Sequence, residues 1–105
     1  MNEEIKAGTT LLAEERYRQL SEHNGEGWTK EHDDLHVNCE LSRAAATYLR
    51  AYHEFNTPNP DMTFVGSWYW PWDLSSWKPS DDPVRNLVKA GALIAAEIDR
   101  LQRIK

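Results

Sequence analysis

Three segments of the chain repeat apolar residues at helical spacing, and two stretches rich in glycine, asparagine and proline separate them. The first segment runs from about Glu3 to Glu22, and a run of turn-forming residues from His23 to Gly27 ends it. Its apolar side is expected to face the core, with the charged positions in water. The inward positions are Leu12, Ala13, Tyr17 and Leu20, and the outward ones are Glu14, Arg16 and Arg18.

Two further helices follow from the same kind of pattern. The second is predicted to begin at Asp33 or Asp34, since carboxylates suit the free amides of a helix start, and to continue to Tyr52. Its apolar stripe is Val37, Leu41, Ala44, Tyr48 and Tyr52. The third begins with Asp82 as its cap and Pro83 at its first position. Its inward stripe is predicted to be Leu87, Gly91, Ile94, Ile98 and Leu101, ending near Arg103.

The connection between the second and third helices, Asn56 to Asp81, carries four of the five prolines and four of the five tryptophans. Loops of this length are usually functional or disordered, and dense aromatic residues argue against disorder. We therefore expect a mainly α fold, a three-helix bundle with a long ordered loop rich in tryptophan and proline between helices 2 and 3. Its indoles either cover the core or line a concave surface for a flat ligand.

Composition narrows the class of protein. A chain of 105 residues with 40% apolar content suits a single helical domain, residues 1–105. The formal net charge of -5 disfavours a surface for duplex nucleic acid. The single cysteine excludes an internal disulfide framework and no N-terminal leader is visible, so a cytoplasmic location is expected. No apolar run approaches the roughly 20 residues that cross a bilayer, so no membrane is expected.

Acidic residues and histidines cluster near the start of the second helix. On a helix that begins at Asp33, the side chains of Asp33, His36 and Glu40 project from one side. That geometry fits a divalent cation or acid-base chemistry. Alternatively, the aspartates only cap the helix, and His32 and His36 are solvated. The ligand pairs of a structural zinc site are missing, so the choice lies between magnesium and no metal.

Two glutamates lie beside or inside apolar stripes, Glu40 on the second helix and Glu97 on the third. A buried carboxylate without a partner is strongly destabilising, so each should meet a cation. Arg16, Arg43 and Lys89 are available. Each glutamate is therefore either a structural ion pair at the edge of the core or part of a pocket floor shared by two helices.

Six motifs are spread over nearly the whole chain. They are Glu15-Arg16-Tyr17-Arg18-Gln19, Gly27-Trp28-Thr29-x-Glu31-His32-Asp33-Asp34-x-His36, Glu40-Leu41-x-Arg43-Ala44-Ala45, Trp70-Pro71-Trp72-Asp73, Trp77-Lys78-Pro79 and Leu87-Val88-Lys89-Ala90-Gly91-Ala92-Leu93-Ile94. Together they resemble a family of small phage and prophage proteins of unassigned function. The resemblance implies a phage or prophage origin, and therefore a place in the host-cell cytoplasm.

A more remote similarity is to the MazG-like all-α nucleotide pyrophosphohydrolases. The first motif, the Glu40-Leu41-x-x-Ala44-Ala45 element and the late Ala96-Glu97 step carry it. In that family inward carboxylates hold magnesium against a triphosphate, and its paired Glu-x-x-Glu is replaced here by His36-x-x-x-Glu40. The similarity implies Mg ligands and phosphate contacts at particular positions. The implied ligands are Glu40 and Glu97 with Asp33 or His36, and the implied phosphate contacts are Lys89 or Arg85.

Three functions follow as alternatives. The first is a nucleotide or nucleotide-signal binding protein that sequesters a host signalling molecule, with bases stacked on indoles. Its ligand-binding residues are predicted to be Trp28, His32, His36, Glu40, Trp68, Trp70, Trp72, Trp77, Lys78, Arg85 and Lys89. The second is a Mg-dependent pyrophosphohydrolase of the MazG-like kind. The third is a module that binds a host protein through the tryptophan loop. A homo-oligomer is expected in each case.

Overall fold

The computed structural model describes residues 5–21 and 38–104, except for the side chains of residues 20 and 21. Its helices are α1 (Gly8–Ser21), α2 (Glu40–Glu54), α3 (Met62–Tyr69) and α4 (Pro83–Arg103), with a short 3₁₀ turn at Leu74–Ser76. These ranges contain no strand, so the mainly α fold is confirmed. None of the helices described is long and apolar enough to cross a membrane.

Helix α3 lies inside the connection that was predicted to be loop, and that prediction is wrong for residues 62–69. The Asp61 carboxylate starts the helix by accepting a hydrogen bond of 3.1 Å from the Phe64 backbone N–H. The helix ends before Pro71, which disfavours helical geometry at Trp70. Its sequence, rich in aromatic and β-branched residues and interrupted by Gly66, carries little intrinsic helical preference.

Helix α4 has the boundaries that its sequence predicts. The Asp82 carboxylate accepts a 3.0 Å hydrogen bond from the Val84 backbone N–H, and Pro83 occupies the first turn. The predicted inward face, however, is wrong, because all four large apolar residues of that stripe are at least 38% exposed. They are Leu87, Ile94, Ile98 and Leu101. This apolar strip is a surface type that favours association, and the homo-oligomer stays a prediction.

Small residues explain which face of α4 is buried. The core between α2 and α4 contains Ala44, Ala45 and Ala51 from one helix and Ala90 and Ala96 from the other. Alanines let two helices approach closely, whereas a stripe of leucine and isoleucine would hold them apart. The inward positions predicted on α2 are confirmed for Leu41, Ala44 and Tyr48, and Val37 lies outside the described residues.

Helix α2 begins later than predicted. Residues Asn38 and Cys39 are not helical, and Cys39 has a left-handed backbone with a φ of 65°. The predicted continuous helix from Asp33 to Tyr52 is therefore wrong at these two residues. The Asn38 backbone N–H donates a 2.7 Å hydrogen bond to Glu40 Oε1 at the helix start. Asp33 and Asp34 lie outside the described residues.

Helix α1 begins at Gly8 and packs across α4 with a polar face. Glu15, Arg16 and Gln19 are buried, whereas Tyr17 is 73% exposed. The predicted positions of Tyr17 inside and Arg16 outside are therefore wrong. Ion pairs across the interface accompany the burial of this polar face, because Arg16 pairs with Asp99 at 3.8 Å and Glu15 with Arg85 at 2.7 Å, both on α4.

Leu12 of α1 packs closely against Gly91 of α4. A side chain at Gly91 would overlap the Leu12 side chain, so the missing Cβ of Gly91 makes room for it. Helix α1 is thereby held near the middle of α4. Its polar face then lies beside the indole segment that follows α3.

Candidate functional site

The four tryptophans of the connection form two separate groups. Trp70 lies between Trp72 and Trp77, with ring centroids 5.2 Å and 5.0 Å away, and Tyr48 of α2 lies 4.8 Å from Trp77. Trp68 belongs to a different, exposed face of α3. The expectation that all four indoles serve one surface therefore does not match their positions.

Trp77 is the buried anchor of the first group. Its indole is 9% exposed, packs directly on the backbone of Gly66, and donates a 2.8 Å hydrogen bond to the Met62 carbonyl. The ring thus joins the end of the connection to α3. Trp77 is therefore part of the hydrophobic core.

Trp70 is oriented by the 3₁₀ turn. Its Nε1–H donates to the Ser76 hydroxyl at 3.0 Å and to the Asp73 carbonyl at 3.2 Å. The Asp73 carboxylate in turn accepts a 2.9 Å hydrogen bond from the Ser75 backbone N–H, which lowers the pKa of Asp73. These local bonds fix the plane of the indole before any ligand arrives.

A cleft of about 380 Å³ lies between the polar face of α1, the helix pair α2 and α4, and this indole group. It has an aromatic part and a polar, mostly cationic part. The lining residues are Glu15, Arg18, Gln19, Tyr48, Trp70, Trp72, Ser76, Lys78, Lys89 and Leu93. A volume of this size falls within the range of small-molecule sites, roughly 300–1,000 Å³.

Glu15 organises the cationic part of the cleft. Its carboxylate accepts hydrogen bonds from Arg18 Nε at 3.0 Å and Arg18 Nη2 at 2.6 Å, and it pairs with Arg85 Nη1 at 2.7 Å. Burial would raise the pKa of Glu15, but the hydrogen bonds from Arg18 and Arg85 outweigh burial and bring the pKa below its ordinary value. Glu15 is therefore ionised at neutral pH and holds both guanidinium groups.

Lys89 completes the cationic part from α4. Its Nζ donates a 2.8 Å hydrogen bond to the Lys78 carbonyl and lies 5.3 Å from the centroid of the Tyr48 ring. Burial lowers the pKa of Lys89, and the nearby positive charges of Arg85 and Arg18 lower it further. Positive charges are thus crowded in this cleft, although the whole chain is acidic.

Tyr48 forms the neutral wall between the aromatic and cationic parts. Its hydroxyl donates a long hydrogen bond of 3.4 Å to the same Lys78 carbonyl. Burial raises the pKa of Tyr48 to about 12, so the ring stays uncharged at physiological pH. Its edge-on contact with Trp70, 5.5 Å between centroids, links this wall to the indoles.

The predicted ligand-binding residues are only partly brought together. The cleft is lined by Trp70, Trp72, Lys78 and Lys89. Arg85 is not a lining residue but forms an ion pair with the lining residue Glu15. Trp77 supports the cleft from within the core, whereas neither Trp68 nor Glu40 is among its lining residues. Trp28, His32 and His36 lie outside the described residues.

Sequence reasoning missed three cleft residues of α1, namely Glu15, Arg18 and Gln19. All three belong to the Glu-Arg-x-Arg-Gln motif, which had been noted only for its resemblance to other families. Their i, i+3, i+4 spacing places them on one side of a helix. That shared polar face, rather than an apolar one, was the available signal.

Two of the four residues predicted to bind a cation, Glu40 and Glu97, belong to the described part of the chain. Glu97 accepts hydrogen bonds from Arg100 at 2.7 Å through Oε1 and 3.2 Å through Oε2. This is the structural ion pair, one of the two alternatives that the sequence allows for Glu97. Glu40 accepts the hydrogen bond from Asn38. Among residues 5–21 and 38–104, no three His, Cys, Asp or Glu side chains are grouped to hold a metal. Asp33 and His36 fall outside these ranges.

Trp68 and Tyr69 form a second aromatic surface, on the outer side of α2 and α3. The Arg50 guanidinium lies 4.8 Å from the Trp68 ring centroid, and the Arg43 guanidinium lies 4.9 Å from that of Tyr69. Arg50 also pairs with Glu54 at 2.7 Å. This surface is separate from the lining of the cleft.

Comparison of the chain with protein-family models, with curated proteins and with solved structures finds no match. The function is therefore inferred from the geometry of the cleft.

Proposed function

We propose that this protein captures a small, planar anion of the nucleotide class in the cleft between α1 and the indole group, without transforming it. One observation carries the proposal: an aromatic wall of Trp70 and Trp72 shares a single cleft with the cations Arg18, Lys78 and Lys89. Nucleotides are the common metabolites that combine a flat ring system with anionic phosphate.

Stacking supplies the first part of the affinity. A base stacked on an aromatic side chain contributes about 1–3 kcal/mol. Trp70 is already oriented by its bonds to the 3₁₀ turn, so little ordering is needed on binding. Trp72 is half-buried beside it, with its ring at 84° to that of Trp70, so it adds an apolar contact at the side of a base stacked on Trp70.

Charge supplies the second part. Among the described lining residues of the cleft, Arg18, Lys78 and Lys89 carry three positive charges against the one carboxylate of Glu15. Burial is the main cause of the lowered pKa of Lys89, and the positive charges of Arg85 and Arg18 add to it. A phosphate would relieve the repulsion, and the free energy gained would add to binding.

Binding is favoured over hydrolysis by the positions of the acids. A magnesium-dependent pyrophosphohydrolase needs carboxylates that converge on the metal ions. In the described part of the chain, Glu97 is engaged by Arg100 and Glu15 by two arginines. A protein that binds a nucleotide without hydrolysing it lowers the free concentration of that nucleotide. The resemblance to phage proteins suggests that the sequestered molecule is a nucleotide signal of the host.

Isothermal titration calorimetry of the purified protein with nucleoside mono-, di- and triphosphates tests the proposal. We expect a dissociation constant in the micromolar range or below for at least one nucleotide. Trp72→Ala should weaken binding about tenfold or more, while the control Trp68→Ala, on the other aromatic surface, should leave it unchanged.

Three results contradict the proposal. One is a folded wild-type protein that binds no nucleotide, and another is equal binding by the Trp72 and Trp68 variants. Release of pyrophosphate in the presence of magnesium would instead identify the hydrolase. Helical circular dichroism of each variant confirms that lost binding is not lost folding.

A further inference from the structure

Gln19 has an unused hydrogen-bond acceptor at the cleft. The residue is 6% exposed and belongs to the cleft lining, yet its Oε1 is buried with no hydrogen-bond partner among the described residues. Buried amide oxygens are nearly always paired. The unpaired state of this oxygen therefore calls for an explanation that the fold itself does not give.

The orientation of the amide follows from Glu15. Gln19 Nε2 lies 3.4 Å from Glu15 Oε2, and that carboxylate is ionised. A reversed amide would bring its oxygen against a negatively charged oxygen, which is repulsive. The carboxylate therefore keeps the amide nitrogen on its own side, so that Oε1 is the atom of the amide without a partner.

Three of the cationic donors at or beside the cleft are hydrogen-bonded to other groups. Arg18 and Arg85 donate to Glu15, and Lys89 donates to the Lys78 carbonyl. An unsatisfied buried acceptor costs the equivalent of roughly 5- to 150-fold in an equilibrium constant. A ligand that donates a hydrogen bond to Oε1 satisfies this acceptor, and the hydrogen bond contributes to affinity.

We propose that Gln19 determines which base is bound, by accepting a hydrogen bond from the exocyclic amino group of a 6-aminopurine. This inference rests on the proposed capture of a nucleotide and names its base. A purine covers more indole surface than a pyrimidine does. Guanine presents the acceptor O6 where adenine presents its amino donor, and O6 would repel Oε1.

A matched pair of probes isolates this hydrogen bond. Adenosine 5′-monophosphate and purine riboside 5′-monophosphate differ only in the 6-amino group, so stacking and phosphate contacts are shared. The wild-type protein should bind the adenosine compound at least about fivefold more tightly. In Gln19→Met the ratio should fall to about one, whereas the control Gln102→Met, an exposed residue of α4, should keep the wild-type ratio.

The outcomes separate the two claims. If both probes bind the wild-type protein equally, the role of Gln19 is overturned while nucleotide capture stands. If no nucleotide binds at all, the proposed function fails and this inference with it. If Gln19→Met does not fold, the test uses the wild-type protein with N6,N6-dimethyladenosine 5′-monophosphate instead. That probe lacks the donor, and binding as tight as that of the adenosine compound would overturn the proposal.

Discussion

The Glu15 carboxylate lies 2.7 Å from the Arg85 guanidinium, and this ion pair joins α1 to α4 at the side of the cleft. Glu15 is almost completely buried, yet it is paired with two arginines that are both more than one-third exposed. A single carboxylate thus holds a helix in place and positions two cations. The packing of α1 and the chemistry of the cleft depend on the same residue.

Replacing Glu15 should destabilise the fold. Breaking a fully buried pair costs about 3–5 kcal/mol, and solvent around the two guanidinium groups reduces this, so Glu15→Gln should lower the free energy of unfolding by about 2 kcal/mol. Because the pKa of Glu15 is lowered in the fold, this stabilisation is present above its ordinary value of 4.5 and is lost as pH falls through the folded value. Urea denaturation at pH 7 and at acidic pH measures both effects.

Glu14→Gln is the matched control for Glu15→Gln. Glu14 is the preceding residue, is half exposed, and pairs with Lys6 at 3.0 Å on the surface. Its replacement should change the free energy of unfolding by less than about 0.5 kcal/mol. Equal losses for the two variants would refute the assignment of Glu15 as the residue that holds α1.

Gly66 should not tolerate a side chain. A Cβ there would overlap the buried Trp77 indole, approaching its Nε1 to 2.7 Å, and the hydrogen bond of Nε1 to Met62 leaves the ring little freedom. Gly66→Ala should therefore lower the melting temperature by several degrees, since overpacking costs about 1–3 kcal/mol. A Cβ at Gly8 would have no other side chain within 4 Å, so alanine should be tolerated there. A Gly66 variant as stable as the Gly8 variant contradicts this packing.

Much of the fold could be predicted from the sequence, and the errors share a physical cause. The boundaries of α4 follow from Asp82 and Pro83, local signals that need no tertiary context. The buried face of α4 does not, because Ala90 and Ala96 gain their place from close packing on α2 rather than from hydrophobicity. Ile98 is strongly hydrophobic and is therefore expected in the core, but it is half exposed.

The indoles and the two lysines of the site could be predicted from the sequence, whereas the residues of α1 could not. Trp70 and Trp72 stand out by their density, and Lys89 lies in a recognisable motif. The spacing of Glu15, Arg18 and Gln19 shows a shared polar face on α1, but not that this face is buried, because burial of Glu15 depends on arginines from its own helix and from α4. Burial of polar residues is decided by such long-range partners, and local periodicity carries no trace of them.

Tyr48 should make the fold sensitive to alkali. Its pKa rises from 10.0 to about 12 on burial, so the uncharged ring stabilises the fold fully below pH 10, and this contribution disappears as pH rises to about 12. Between these values the wild-type protein should lose about 2 kcal/mol more stability than Tyr48→Phe does. Chemical denaturation across this range measures the difference, with Tyr17→Phe as the exposed control. Parallel profiles for the wild-type protein and Tyr48→Phe would contradict the prediction.

Lys89 should make ligand binding depend on pH. Burial and the neighbouring arginines lower its pKa, so it loses its proton below the ordinary value of 10.5, and a bound phosphate favours the protonated form. Nucleotide affinity should therefore fall as pH rises toward 10.5. Lys89→Met should bind about tenfold more weakly at pH 7 and lack this part of the dependence. Lys89→Arg should keep its affinity across the range, and a wild-type profile that is flat would count against the role of Lys89.

Nuclear magnetic resonance of the indole N–H groups tests the central claim most directly, because each tryptophan gives its own signal. With signals assigned through single Trp→Phe variants, adenosine 5′-monophosphate should shift those of Trp70 and Trp72 in proportion to saturation. The signal of Trp68, which lies outside the cleft lining, should stay in place. A nucleotide that moves only the Trp68 signal, or none of the three, would show that the cleft between α1 and the indole group is not where the ligand binds.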